Sequence, residues 1–219
     1  RLGIDAALAP NASIALGTSE VTLLDLTSAY VPFSNGGFRV EPHVIRRVRT
    51  ADGELLYEKP GTRPQRVVSQ KNVGEMNYML SEALIHGTGQ RARIKGWPAA
   101  GKTGTSQNWR DAWFVGYTAF FTAGVWLGND DNSPTRKATG GSLPAMLWRD
   151  LMQAVHEGMQ VAALPGAQVA RRAAAGADDS VPTDQVWASA GGRDMIGERV
   201  RPDPETDRVG GFLRRLFGG

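Results

Sequence analysis

The sequence contains no cysteine, and this absence removes two kinds of chemistry at once. Disulfide bonds cannot form, and no thiol can act as a nucleophile or as a metal ligand. Histidine is scarce as well, with three residues and no pair at the H-E-x-x-H spacing of a helical zinc site. The sequence therefore predicts neither a metal nor a cofactor, and it suits either a reducing or an oxidising compartment.

A large excess of charge and a clear membrane helix are also missing. The formal net charge is only +3, so bulk electrostatics gives no reason to expect nucleic acid as a partner. Residues 112–129 carry no charge over 18 positions, a length at which a membrane helix has to be considered. Glycine, aromatic and β-branched residues dominate this stretch, however, and the latter two favour strands. We predict two adjacent strands, over residues 112–118 and 122–128.

The two ends of the chain differ in character from its middle. The chain begins with Arg1 and shows no signal peptide, so we expect a fragment whose membrane anchor lies upstream. Residues 1–160 have enough apolar side chains for one folded core. Residues 161–219 are rich in Ala, Gly, Pro, Asp and Arg, with few large apolar side chains to offset the entropy of ordering. We expect a folded domain over 1–160 and a disordered tail over 161–219.

Three segments space their apolar residues at intervals of three and four, as amphipathic helices do. We predict helices over residues 19–33 with Thr18 as N-cap, 70–86 with Ser69 as N-cap, and 142–158. An Asp-Gly pair at residues 52 and 53 lies between two apolar-leaning runs, which predicts a hairpin.

The segment G-W-P-A-A-G-K-T at residues 96–103 has two incompatible interpretations. Its spacing fits a phosphate-binding loop, but Lys102, Thr103 and Gly104 also form the K-T-G triad of serine β-lactamases and penicillin-binding proteins. A phosphate loop needs a buried strand before it and a helix after it, whereas basic residues precede this segment and poor helix formers follow it. We favour a strand on which Thr103 and Thr105 share one face. With cationic Lys102 beside them, such a groove suits a substrate that carries a carboxylate.

Five segments of the chain form a recognisable series: A-S-I-A-L-G-T-S-E-V-T-L-L at 12–24, S-N-G-G at 34–37, A-G-K-T-G-T-S at 100–106, D-A-W-F-V-G-Y at 111–117 and G-V-W-L-G-N-D at 124–130. In unbroken order they resemble the second half of the transpeptidase domain of class A penicillin-binding proteins, the bifunctional enzymes of bacterial cell-wall synthesis. The resemblance runs from residue 1 to about residue 158. It implies an α+β fold of the β-lactamase type, an antiparallel sheet flanked by helices, of which this chain would hold a part.

The resemblance also implies an activity. Enzymes of this family attack the D-alanyl-D-alanine end of a peptidoglycan stem peptide by serine acyl transfer, and β-lactams trap them. Lys102 would supply positive potential, the hydroxyls of Thr103 and Thr105 would hold the substrate carboxylate, and the Thr105 N–H would donate to the oxyanion. Gly104 and Ser106 would complete the substrate-binding strand. The implied location is the periplasmic face of the inner membrane, with other cell-wall synthesis proteins as possible partners.

The chain departs from the family pattern in one respect. That pattern places an S-x-x-K nucleophile motif and an S-x-N motif before the triad. No serine of this chain has a lysine three residues later, and the S-Q-N at 106–108 follows the triad. We expect the nucleophile in upstream sequence, so that the fragment alone would be inactive. The alternatives are a phosphate-loop nucleotide enzyme built on residues 96–103 and a non-catalytic module that binds peptidoglycan or β-lactams.

Overall fold

The computed structural model describes residues 2–6, 8, 10, 12–61 and 63–167. Within these residues, no helix is long and apolar enough to cross a membrane. Besides three short 3-10 helices, the helices and strands of the described residues are, in chain order, α1 (Leu23–Ser34), β1 (Arg47–Arg49), β2 (Leu55–Glu58), α2 (Gln70–Ile85), β3 (Ala100–Thr105), β4 (Asp111–Tyr117), β5 (Thr122–Gly128) and α3 (Leu143–His156).

Helix α1 begins later than the sequence predicted. Thr22 caps it, because the Thr22 hydroxyl accepts a hydrogen bond from the Asp25 N–H at 3.0 Å. The expected cap, Thr18, instead pairs its hydroxyl with that of Ser13 at 3.0 Å. Each threonine is followed within three residues by an acidic residue, so local sequence did not separate the two. The start of α2 was predicted correctly, since the Ser69 hydroxyl accepts from the Asn72 N–H at 3.2 Å.

Strands β3, β4 and β5 form one antiparallel sheet in that order, which confirms the two adjacent strands predicted over residues 112–118 and 122–128 and the strand predicted at the triad. Helix α1 covers one face, where a side chain at Gly124 of β5 would meet Leu23 and Thr27. Helix α3 covers the other face, where the rings of Phe114 and Trp148 lie 5.1 Å apart. The sheet is therefore flanked by helices on both faces, and the expected α+β fold is confirmed.

The α3 side holds the larger part of the core. Trp148 and Phe114 have no exposed surface, and Met152 is only 1% exposed. The indole N–H of Trp148 is shared between the carbonyls of Gly116 on β4 and Ala123 on β5, at 3.2 and 3.1 Å. Trp148 thus joins the helix to two strands through both packing and hydrogen bonds.

The packed chain continues beyond residue 160, where we expected the folded part to end. Leu164 is 6% exposed and packs in a second core cluster with Tyr117 and Leu80. The buried Asn77 amide donates to the Pro165 carbonyl at 2.8 Å and accepts from the Tyr117 hydroxyl at 2.5 Å. This segment is held by contacts with distant parts of the chain, which its composition does not reveal. The remainder of the predicted tail, residues 168–219, lies outside the described residues.

Candidate functional site

The K-T-G triad lies on β3, at an edge of the three-stranded sheet. Among the described residues, β4 is the only strand that pairs with β3, and it places Thr103 opposite Phe114. Thr103 lies inside the strand, which continues to Thr105 and does not turn into an α-helix, and the pairing is antiparallel. The phosphate-loop interpretation of residues 96–103 is therefore wrong, because it requires a helix directly after the lysine.

One hydrogen bond shows which backbone groups of β3 face the open edge. The Ser106 N–H, just past the end of the strand, donates to the Asp111 carbonyl at 3.0 Å. In an antiparallel ladder, every second residue directs both its N–H and its C=O toward the partner strand. Counting back from Ser106, Gly104 faces β4, whereas Thr103 and Thr105 present their backbone groups at the free edge. The Thr105 N–H is thus available to a group that approaches this edge.

Lys102 reaches the same edge from the opposite face of the sheet. Side chains alternate along a strand, so Lys102 leaves β3 on the face away from Thr103 and Thr105. Its side chain then turns back, and Nζ donates to the Thr103 carbonyl at 2.8 Å. No carboxylate of the described residues forms an ion pair with Lys102, so its charge is free to act on a ligand. The Lys102 ammonium therefore lies at the free edge of β3, on the strand that also carries the hydroxyls of Thr103 and Thr105.

Each of the two threonine hydroxyls has a partner from another part of the chain. The Thr103 hydroxyl lies 2.6 Å from that of Thr88, in the loop after α2. The Thr105 hydroxyl accepts from the Gly140 N–H at 3.0 Å, in the loop before α3. Sequence reasoning missed Thr88 and Gly140, because neither belongs to the triad. The signal that could have found them is the glycine flanking each, in G-T-G at 87–89 and T-G-G at 139–141.

The loop before α3 lies directly on β3 and β4. A Cβ at Gly140 would collide with the carbonyl oxygens of Trp113 and Gly104, and one at Gly141 would collide with the Thr88 carbonyl. Backbone can approach backbone this closely only where no side chain intervenes. The two glycines therefore allow the loop to hold Thr88 and Thr105 in place.

Two of the predicted site residues have local structural reasons for their identity. The Ser106 hydroxyl accepts from the Asp111 N–H at 2.7 Å, and the Ser106 N–H faces β4. The structure thus uses Ser106 to close the loop after β3 and does not bring it to the open edge. At Gly104, a Cβ would lie 3.2 Å from the Trp113 Cβ. Space for Trp113 is thus one reason for glycine at this position.

The end of β3 nearest Thr105 is bordered by strained backbone. In the described residues, all non-glycine positions with left-handed φ lie in the two loops 106–110 and 129–142. Thr135 joins these loops, because its N–H and its hydroxyl both donate to the Trp109 carbonyl, at 2.9 and 2.6 Å. Such conformations persist only where surrounding contacts determine them, and they cluster at functional sites. The four positions are Asn108, Trp109, Asn132 and Lys137.

Comparison with known proteins shows the family to which the sequence is similar. Residues 5–153 match the family model of the penicillin-binding protein transpeptidase domain. The chain is 37% identical over 156 residues to penicillin-binding protein 1A of Aquifex aeolicus, a match that covers 71% of this chain and 21% of that protein. Penicillin-binding protein 1A of Neisseria gonorrhoeae is 34% identical over 154 residues, which are 68% of this chain and 19% of that protein. The chain spans about a fifth of the length of these relatives.

Solved structures show the same fold. The PonA1 protein of Mycobacterium tuberculosis in complex with penicillin V aligns with a TM-score of 0.66 at 23% identity, over 75% of this chain and 50% of that one. Penicillin-binding protein 1A of Haemophilus influenzae aligns with a TM-score of 0.60 at 23% identity, over 72% of this chain and 30% of that one. The family match covers more than half of the chain, and the resemblance inferred from sequence is confirmed. This chain belongs to the penicillin-binding protein transpeptidase domain family, with relatives among the class A proteins of type 1A.

Proposed function

We propose that this chain supplies the substrate-recognition side of a serine D,D-transpeptidase that cross-links peptidoglycan stem peptides. The nucleophile would come from sequence outside the chain, because no S-x-x-K occurs within it. The observation that carries the proposal is the free edge of β3, where the Lys102 ammonium contacts the Thr103 carbonyl and the Thr105 N–H points away from β4. The hydroxyls of Thr103 and Thr105 extend from the same strand, and we propose that all of these groups act on one ligand.

The chemistry of the donor peptide fits this set of groups. A stem peptide that ends in D-alanyl-D-alanine has a terminal carboxylate, which accepts hydrogen bonds and attracts a cation. An extended peptide can also pair with the free edge of β3, where Thr103 and Thr105 present N–H and C=O groups. The Thr105 N–H would then donate to the oxyanion that forms when the scissile carbonyl is attacked, a contribution of about 2.7–4 kcal/mol where such donors have been removed.

Similarity to the relatives also supports proposals about β-lactam binding and about the cellular location of the whole protein. PonA1 of Mycobacterium tuberculosis binds penicillin V, and a β-lactam carboxylate would occupy the same donors as the peptide carboxylate. We further propose that the whole protein faces the periplasm and is held at the inner membrane by an anchor outside this chain. Contacts with other cell-wall synthesis proteins and a D-Ala-D-Ala carboxypeptidase side reaction belong to the same proposal.

Acylation of the full-length protein by a fluorescent penicillin tests the site. Lys102→Ala removes the cation, and Thr105→Val removes one hydrogen bond to a charged group. We expect each variant to lower the second-order acylation rate constant by about tenfold to a hundredfold, the range for charge-assisted hydrogen bonds. Lys59→Ala and Thr50→Val, near or in the β1–β2 hairpin, are the matched controls and should react as the wild type does. Unchanged labelling of both site variants would contradict the assignment of these residues.

The second candidate is a module that binds peptidoglycan or β-lactams without catalysis. The observation that favours it is the missing S-x-x-K, since recognition groups without a nucleophile can bind but not react. The same labelling experiment separates the two functions. A covalent adduct that survives denaturing electrophoresis supports the transpeptidase, whereas saturable binding that is lost on denaturation supports the module.

A further inference from the structure

We infer that Thr88 is a positioning residue for the Thr103 hydroxyl and makes the site selective for a ligand that carries a carboxylate. The inference rests on the proposed function, because it concerns the carboxylate contact of the same site. Its starting point is the 2.6 Å distance between the hydroxyl oxygens of Thr88 and Thr103. The contact joins the end of α2 to the triad strand, although 15 residues separate the two threonines.

A bound carboxylate determines the direction of this hydrogen bond. A hydroxyl has one proton to donate and two lone pairs that accept, whereas an ionised carboxylate only accepts. When Thr103 binds a carboxylate, its proton must point to the ligand, so Thr88 must donate its own proton to the Thr103 oxygen. The result is a chain from Thr88 to Thr103 to the ligand, in which each hydrogen bond polarises and strengthens the next.

The backbone around Thr88 is held before any ligand arrives. The N–H groups of Gly87 and Gly89 donate to the carbonyls of Glu82 and Ala83, at 3.1 and 2.9 Å, and so fix the turn that ends α2. On the other side, Gly141 lies against the Thr88 carbonyl. Because Thr88 is already ordered, directing the Thr103 hydroxyl costs little conformational entropy on binding.

Thr105 shows the same arrangement with a different partner. The Gly140 N–H donates to the Thr105 oxygen at 3.0 Å, which occupies an acceptor position and leaves the hydroxyl proton free. In each threonine the hydroxyl oxygen then accepts a hydrogen bond from the protein, from Thr88 at Thr103 and from Gly140 at Thr105. The hydroxyl proton of each is left to donate to a ligand. Two available hydroxyl protons on one face of the strand favour a ligand group that only accepts, and a carboxylate meets that requirement better than an ester or an amide.

The test is benzylpenicillin acylation of the full-length protein, as wild type and as matched variants. Thr88→Val keeps the side-chain shape and removes the hydroxyl, and we expect the second-order rate constant to fall by about threefold to tenfold, the effect of one neutral hydrogen bond. Thr88→Ser should restore the rate. In a Thr103→Val background, Thr88→Val should have no further effect, because Thr88 acts through Thr103. Thr50→Val is the control, since it removes a hydroxyl that accepts from the Glu54 N–H at 3.0 Å in the separate hairpin.

A second measurement distinguishes positioning from stability. With the methyl ester of benzylpenicillin, which has no carboxylate, Thr88→Val should change the rate by less than about twofold, because the lost bond acts on the carboxylate contact. Melting temperatures are measured for every variant. If Thr88→Val is unfolded, Thr88→Ala takes its place in the same comparisons.

The outcomes separate this inference from the proposed function. Absence of acylation in the wild-type protein contradicts the proposed function, and the inference falls with it. If the wild type is acylated, an unchanged rate in Thr88→Val contradicts the inference alone. An equal loss in the Thr103→Val background, or an equal loss with the ester, also contradicts it, because Thr88 would then act on stability or on another group.

Discussion

The two antiparallel sheets of this molecule obey the same pairing rule but differ in what covers them. In the β3–β4–β5 sheet, Ala112, Phe114 and Tyr117 have no exposed surface. In strands β1 and β2 every residue is exposed, and Leu56 reaches 62%. Two-stranded hairpins are marginal in water, and a hydrophobic face needs a covering layer. The candidate site stands on the sheet that helices cover, where its groups are held in place.

The largest expected effect is on stability, and it compares a buried residue that covers one sheet with an exposed residue of the other. Trp148→Ala removes a fully buried ring and its hydrogen bonds to β4 and β5, and we expect it to lower the free energy of unfolding by about 3–5 kcal/mol. Leu56→Ala in the hairpin should cost less than about 0.5 kcal/mol, as surface substitutions do. Urea unfolding followed by circular dichroism measures both. Similar costs for the two variants would show that burial does not distinguish the sheets.

How much of the structure could be predicted depends on whether a feature is determined by local sequence or by contacts between distant residues. Strands β4 and β5 and the hairpin were predicted because β-branched and aromatic residues and an Asp-Gly turn are local signals. Thr88 and Gly140 were not found, because their roles depend on partners that lie 15 and 35 residues away along the chain. The burial of Leu164 is a long-range contact of the same kind. The family resemblance supplied the role that we propose for the triad.

The next effect concerns the loop that lies on the covered sheet. Gly140→Ala would drive a Cβ into the carbonyls of Trp113 and Gly104, neither of which can rotate away. We expect a loss of about 1–3 kcal/mol in the free energy of unfolding, the usual cost of overpacking. The clash should displace the loop, and with it the Gly140 N–H that donates to the Thr105 hydroxyl, so penicillin acylation should slow as well. Gly61→Ala is the control, since a Cβ there meets nothing within 4 Å. A stable, fully reactive Gly140→Ala variant would show that the loop moves freely on the sheet.

The smallest expected effect depends on pH and concerns the far end of α3. His156 is 2% exposed, with Nδ1 2.7 Å from the Met152 carbonyl and Nε2 2.8 Å from the Thr118 hydroxyl. A carbonyl only accepts, so Nδ1 carries the proton and Nε2 accepts from Thr118. The Thr118 oxygen already accepts from the N–H groups of Phe120 and Phe121, at 3.2 and 3.3 Å. A protonated ring would therefore have no ready acceptor at Nε2.

Burial lowers the pKa of His156, against a smaller raising effect of its hydrogen bond to Met152. The stability that the neutral ring contributes is fully present above the unfolded-state pKa of about 6.5, and it is lost as the pH falls through the lower pKa of the folded state. We therefore expect the free energy of unfolding to decrease between pH 7.5 and pH 5, measured by urea unfolding at both values. His156→Gln, which cannot be protonated, should lose less stability over this interval than the wild type. His43→Gln is the control, because His43 is exposed, and it should keep the wild-type dependence. If His156→Gln and the wild type lose the same amount, the acid sensitivity lies elsewhere, and the covered sheet tolerates a charge at the end of α3.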